Sequence, residues 1–235
     1  GEFMMGSPTN EEGREDNEIQ HRVVLTKGFW IGKYEVTQKQ WESVMGTNPS
    51  SVKGENRPVE GVSWSACQDF CRKAGQGLGL PTEAQWEYAC RAGSTTAYFW
   101  GNALNGDRAN CDGSYPCGTK RKGKYAKSTC EVGSYSPNAW GIYDMHGNVW
   151  EWCHDWYGNY SGENVVDPSG PAFGDRRVCR GGGWPVEAYK CRSAAHYGFH
   201  PGISGHSQGF RVFCSDDSVK ISSVAPALHL TAGMT

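Results

Sequence analysis

Hydrophobic positions in this chain come in short bursts separated by turn residues, a pattern of small strands and brief helices rather than long ones. The run His21-Arg-Val-Val-Leu-Thr-Lys-Gly-Phe-Trp-Ile-Gly-Lys-Tyr-Glu-Val36 reads as two short strands joined at Lys27-Gly28. Three helix starts follow. Thr37 and Gln40 form a capping-box pair ahead of Trp41, Val44 and Met45. Ser65 and Gln68 repeat it before Phe70, which sets Cys67 and Cys71 one turn apart on a shared face. Thr82 and Gln85 repeat it again after Pro81 at the first turn, with Trp86, Ala89 and Cys90 as the buried stripe. The opening Gly-Glu-Phe-Met-Met-Gly-Ser-Pro reads as the middle of a first strand, so any leader or anchor is expected to have been removed. Further strands are expected at 178–184 and 209–214, and residues 215–235 read as a C-terminal tail without periodicity.

Residues 93–153 are turn after turn, with Asn105-Gly106, Asp112-Gly113 and Pro137-Asn138 among the breakers. Long irregular segments in a compact domain usually carry function or need a cation to order them. The fold class is therefore α+β: loop-rich, with short antiparallel strands and a few helices. There is no internal repeat, and residues 1–214 read as one domain. Thirty-two glycines and ten tryptophans suit a loop-rich fold built around aromatics.

A net charge of −2 supplies no field to hold a nucleic acid, and the basic cluster Lys120-Arg121-Lys122-Gly123-Lys124 reads as a solvated loop tip. No apolar run is long enough to insert in a membrane. Ten cysteines suit an oxidising, extracellular or cell-surface compartment, but their spacing fixes no connectivity.

Seven phrases occur in an order that resembles the formylglycine-generating-enzyme (sulfatase-modifying-factor) family. They are Met5-Gly-Ser-Pro8, Tyr34-Glu-Val-Thr37, Pro58-Val-Glu-Gly-Val-Ser-Trp64, Leu80-Pro-Thr-Glu-Ala-Gln-Trp-Glu-Tyr88, Asn138-Ala-Trp-Gly-Ile-Tyr-Asp-Met-His-Gly-Asn-Val-Trp-Glu-Trp152, Arg180-Gly-Gly-Gly-Trp184 and Gly209-Phe-Arg211. The resemblance implies a C-type-lectin-like fold. It also implies a structural calcium held by Asp144, Gly147, Val149 and Glu151, a set of carboxylates and main-chain carbonyls suited to a hard cation. A second family calcium would use Asn110 and the carbonyl of Cys111, but its acidic partner is replaced by the Lys122–Lys124 region.

The family's enzymes oxidise a cysteine with dioxygen and a copper ion held by two cysteines after the Gly-Gly phrase. Here that stretch, Gly183-Trp-Pro-Val-Glu-Ala-Tyr-Lys-Cys191, is shorter and keeps Cys191 alone, so no copper is expected. His196, His200 and His206 have no zinc-ligand spacing and read as solvent-exposed. Neither a Gly-x-Ser-x-Gly elbow nor a Walker loop occurs. The histidine-rich partner domain of the related sulfoxide synthases is missing.

The same segment resembles the variable region of proteins diversified by retroelements, which use this lectin-like fold. Fixed words persist as Arg180-Gly-Gly-Gly-Trp184, Arg192-Ser-Ala194, Pro201 and Gly209-Phe-Arg211. Between them stand Pro185, Val186, Glu187, Tyr189, Lys190, Ala195, Tyr197, Phe199, Ile203, Gly205, His206 and Ser207. With Trp184 these are the expected ligand-binding residues, within a variable segment at 178–213. The expectation is a non-catalytic, monomeric protein that binds a protein or other macromolecule through residues 185–207. The alternatives are a copper oxidase of formylglycine type and a non-diversified scaffold module.

Overall fold

In the computed structural model, residues 1–215 and 230–233 are described. Strand β1 (Glu2–Met5) pairs antiparallel with β2 (His21–Val24), and β6 (Val165–Val166) joins β2 in parallel. A second sheet runs β11 (Leu230–Gly233), β3 (Phe29–Gly32), β10 (Phe213–Ser215), β4 (Leu78–Gly79). The third, in the order β8 (His196–Phe199), β7 (Arg177–Arg180), β5 (Trp150–Trp156), β9 (Gln208–Gly209), carries the C-terminal segment. Helices α1 (Gln38–Met45), α2 (Trp64–Ala74) and α3 (Glu83–Arg91) complete the regular structure, apart from a 3-10 turn at Ala188–Cys191. The α+β reading holds.

Thr37 and Thr82 close full capping boxes with Gln40 and Gln85, as their spacing requires. The second helix starts earlier than expected. Its cap is Ser63, which accepts from the backbone of Ala66, while Ser65 lies inside the helix. Pro81 precedes the cap of α3 instead of occupying its first turn. The strands on either side of Lys27-Gly28 exist but belong to different sheets, so that junction is a crossover and not a hairpin.

Three further differences concern the strands. Strand β5 is buried from Trp150 to Cys153, which erases the alternation that would have revealed it. The expected strand at 178–184 ends at Arg180, because Gly181 and Gly182 turn at φ of 85° and 73°. The expected strand at 209–214 splits into β9 and β10 around the buried Phe210, Arg211 and Val212. In the tail, β11 pairs with β3; residues 216–229 and 234–235 lie outside the described residues.

Aromatic packing dominates the core. Trp41 stacks on Phe70 at 5.5 Å, and Phe210 meets Phe70 edge-on at 5.3 Å. Burying each such side chain contributes about 1.5–3 kcal/mol. From Ala92 to Val149 there is no helix or strand, and this long segment organises its own apolar cluster around Tyr98, Leu104, Cys111, Cys117, Ala188 and Cys191.

Candidate functional site

Three arginines, each fully buried, build a frame under the C-terminal segment. Arg180, at the end of β7, donates to Glu83 at 3.0 Å, to Glu87 at 2.8 Å and to the carbonyl of Ser193 at 2.8 Å. Arg192 donates to Glu11 at 2.6 Å, to Glu18 at 2.6 and 2.8 Å, and to the carbonyl of Gly13 at 2.6 Å. Arg211 grips both oxygens of Glu151 at 2.6 Å and reaches the carbonyls of Gly32 and Tyr143. Buried charges persist only when paired and hydrogen-bonded in this way. Burial opposes ionisation of Glu83, but Arg180 and His196 overcome it and hold its carboxyl at about 2.

Side chains on this frame divide by direction. Arg180, Arg192, Ser193, Ala194, Phe210 and Arg211 are buried, whereas Trp184, Val186, Glu187, Tyr189, Lys190, Tyr197, Phe199 and Ser207 are half-buried. Pro185, Ile203 and His206 are exposed. Local contacts unite the rim. Trp184 donates its indole N–H to the carbonyl of His206 at 3.2 Å and stacks on Tyr125. Tyr197 and Phe199 lean on Trp150 with ring centroids 5.1 and 5.7 Å away. Glu187 and Lys190 pair at 2.9 Å, and Lys190 lies over the Tyr189 ring.

One expected contact residue does not belong to the rim. Ala195, just before β8, is fully buried, so it belongs to the frame. Gly205 is half-buried, packs against the end of the Gln208 side chain, and offers a carbonyl that accepts from Gly61.

The N-terminal loop supplies what the sequence concealed. Glu15 accepts from the Tyr197 hydroxyl at 2.5 Å, and Gly13 sits where a β-carbon would lie 2.6 Å from that of Tyr189. Residues so far apart in the chain carry no pairing signal in one sequence; the crowding of Glu11, Glu12, Glu15 and Glu18 is the only hint.

Beside the frame lies a buried carboxylate cluster. Glu35, Asp144 and Glu151 are all buried. Glu35 accepts from the Asn148 amide at 2.7 Å and from the Val149 N–H at 3.2 Å. Burial and the neighbouring Asp144 and Glu151 push Glu35 well above the usual carboxylate range, and burial raises Asp144 to about 6. Asp144 accepts from the Gly133 N–H through Oδ2, while its buried Oδ1 has no partner. Both oxygens of Glu151 are already taken by Arg211 and Trp86. Among the described residues no three His, Cys, Asp or Glu side chains converge on a metal position, so any cation here depends on main-chain oxygens. Asn110 donates its amide to the carbonyl of Ser128 and to Asn148, which ties the loop to this turn.

Other candidate groups among the described residues are buried, paired or exposed singly. His196 is buried, not solvent-exposed as expected; its Nδ1 lies 2.8 Å from Glu83 but off the line of a hydrogen bond. His200 and His206 are exposed. Cys90 lies 3.8 Å from His146 and 3.7 Å from Ser193, but burial pushes the thiol up to about 12 and the imidazole down to about 4. That trio holds no thiolate–imidazolium pair. The basic cluster at 120–124 is a solvated loop tip in which Arg121 pairs with Asp107 at 3.1 Å. A cavity of about 420 Å³ bordered by Glu83, Asp155, Tyr160 and Pro168 includes no rim residue. Its Asp155, raised to about 7 by burial and by Glu83, caps α3 through the Glu83 N–H at 2.8 Å.

The profile of the sulfatase-modifying factor enzyme 1-like domain matches residues 1–215. A formylglycine-generating enzyme of Streptomyces coelicolor is 38% identical over 201 residues, covering 81% of this chain and 61% of that enzyme. The formylglycine-generating enzyme of Mus musculus is 35% identical over 206 residues, covering 84% of this chain and 53% of that enzyme. This chain therefore spans little more than half the length of these relatives. Among solved structures, Treponema denticola variable protein 1 superposes with a TM-score of 0.73 at 28% identity, covering 91% of this chain and 94% of that one. No helix among the described residues is long and apolar enough to cross a membrane.

Proposed function

Since the chain belongs to the sulfatase-modifying factor enzyme 1-like family, we propose that it is a non-catalytic ligand-binding member, presenting the rim at 185–207 to a protein or other macromolecule. Its fold is the loop-rich, C-type-lectin-like fold that the motifs implied. The observation that carries the reading is the division between a buried, ion-paired frame and a half-exposed aromatic rim. Such a rim offers large rigid contact area at low entropic cost. The likeness to a protein named as variable supports a segment diversified by a retroelement. In this reading the chain acts as a monomer at the cell surface or outside the cell, without nucleic acid.

Selection of a displayed peptide library on the immobilised chain tests the face. Binders should lose about tenfold or more in affinity when Tyr189, Tyr197 and Phe199 are replaced by alanine together, since aromatic hot spots contribute about 2 kcal/mol or more each. Retained affinity in a folded variant excludes this surface. An adjacent reverse-transcriptase gene with an adenine-rich near-copy of codons 178–213 would support diversification. Identical rims across isolates would leave a fixed scaffold module.

The alternative, cysteine oxidation with copper, draws on the identity with formylglycine-generating enzymes. It needs two thiolates open to a peptide substrate. The one cysteine in the relevant stretch, Cys191, is sealed in the interior. Absence of Cu(I) uptake and of oxygen consumption with a cysteine peptide would retire it.

A structural calcium fits the turn after Asp144. The unpartnered Asp144 Oδ1 and three buried carboxylates facing one guanidinium call for added positive charge. Asp144, with the carbonyls of Gly147 and Val149, would hold it; Glu151, expected as a ligand, has both oxygens engaged by Arg211 and Trp86 and would add charge nearby, as would Glu35. Calcium at about 100 times its Kd should stabilise the fold by about 2.7 kcal/mol. Chelator should reverse the shift, and Asp144→Asn should lose it. An unfolding midpoint indifferent to calcium would refute the site.

A further inference from the structure

The long loop and the base of the rim are fastened together backbone to backbone. Asp112 donates its N–H to the carbonyl of Val186 at 2.9 Å, and Ala188 donates to that of Tyr115 at 3.1 Å. Tyr98 donates its hydroxyl to the carbonyl of Ala188 at 2.8 Å. Between these bonds the side chains of Cys111 and Cys191 lie in one apolar cluster, near enough for each thiol to act on the other. Both side chains are sealed inside the same apolar cluster. Cys191 has little freedom to turn away, because a β-carbon on Gly182 would lie 2.4 Å from its Sγ. Cys117, the third thiol of the cluster, is occupied elsewhere. It lies 3.4 Å from the carbonyl of Glu12, which accepts from its thiol.

We propose that Cys111 and Cys191 are a disulfide pair that locks the long loop to the base of the binding rim. Nothing else in the surroundings favours the reduced form: each thiol offers a weak donor to an apolar cluster. The bond would close a long loop, the arrangement in which a crosslink most restricts the unfolded chain.

The chemistry balances with a small-molecule disulfide such as oxidised glutathione. One cysteine attacks it, forming a mixed disulfide and releasing one glutathione thiol. The second cysteine attacks the mixed disulfide, forming the internal S–S bond and releasing the other. Two electrons and two protons pass from the cysteines to the two glutathiones. Contact with Cys111 and burial push the Cys191 thiol well above its usual range, so exchange belongs to folding, when both sulfurs are exposed.

Refolding the chain in a buffer of reduced and oxidised glutathione tests the pair. After alkylation under denaturing conditions, digestion with trypsin and an endoproteinase cutting before aspartate puts Cys111, Cys117 and Cys191 on separate peptides. The expected product joins residues 109–111 to residues 191–192. The oxidised protein should also unfold several degrees above the reduced one. Cys111→Ser should abolish that difference, and Cys117→Ser should retain it. Recovery of Cys111 and Cys191 both alkylated, or a link from either to Cys117, would overturn the proposal.

Discussion

At the scale of single residues, stability concentrates in a few buried guanidinium groups. Arg180 serves Glu83, Glu87 and the carbonyl of Ser193 at once, and all three residues are buried. Arg180→Ala should therefore cost about 3–5 kcal/mol, measured by denaturant unfolding, because Glu83 loses its guanidinium partner while Glu87 keeps only Arg91. The same site sets acid sensitivity. Glu83 is held at about 2 when folded and titrates near its ordinary 4.5 when unfolded. Its contribution is complete above about pH 4.5 and is lost as pH falls toward 2, amounting to about 3 kcal/mol. Arg180→Ala should flatten the fall in stability across that window; an unchanged acid limb would mean that Arg180 does not control Glu83.

Among elements, the caps give the sharpest distinction between what the sequence conveys and what packing decides. Two capping boxes were legible because Thr37/Gln40 and Thr82/Gln85 are local signals, complete within four residues. The Ser65/Gln68 pair carries the same spacing but loses to Ser63, whose cap lets Trp64 donate its indole N–H to the carbonyl of Cys153 at 2.8 Å. Ser63→Ala should destabilise by about 1 kcal/mol, and Ser65→Ala by no more than a few tenths. Equal losses in thermal unfolding would restore the later start. Strands were less legible. Those with an exposed face, such as β2, kept their alternation, whereas β5 and β9 are covered on both sides and lack it. Strand β8 hid inside a Gly- and Pro-rich stretch and exists because β7 lies beside it.

For the molecule as a whole, composition and motif order conveyed the class of fold, since many short apolar bursts and a long turn-rich segment leave few alternatives to α+β. The segment was legible as a stretch and less so residue by residue: Trp184, Tyr197 and Phe199 are half-buried and His206 is exposed, while Ala195 is fully buried. Periodicity cannot tell which face of a strand is covered when its covering partner lies far away in sequence. The N-terminal loop is that partner. Glu11 and Glu18 neutralise Arg192, and Glu15 tethers Tyr197, across most of the chain's length.

The chain therefore cannot finish its interior from either end alone. Arg192 reaches back to Glu11 and Glu18, Arg211 to Glu151, and β10 inserts between β3 and β4, so these contacts all wait for residues 192–215 to be made. A product cut short or frameshifted within residues 178–213 would leave several carboxylates buried without counter-charge. It should be cleared by proteolysis. The arrangement acts as a built-in proofreading device: only a polypeptide that carries residues 178–213 intact closes its interior and persists.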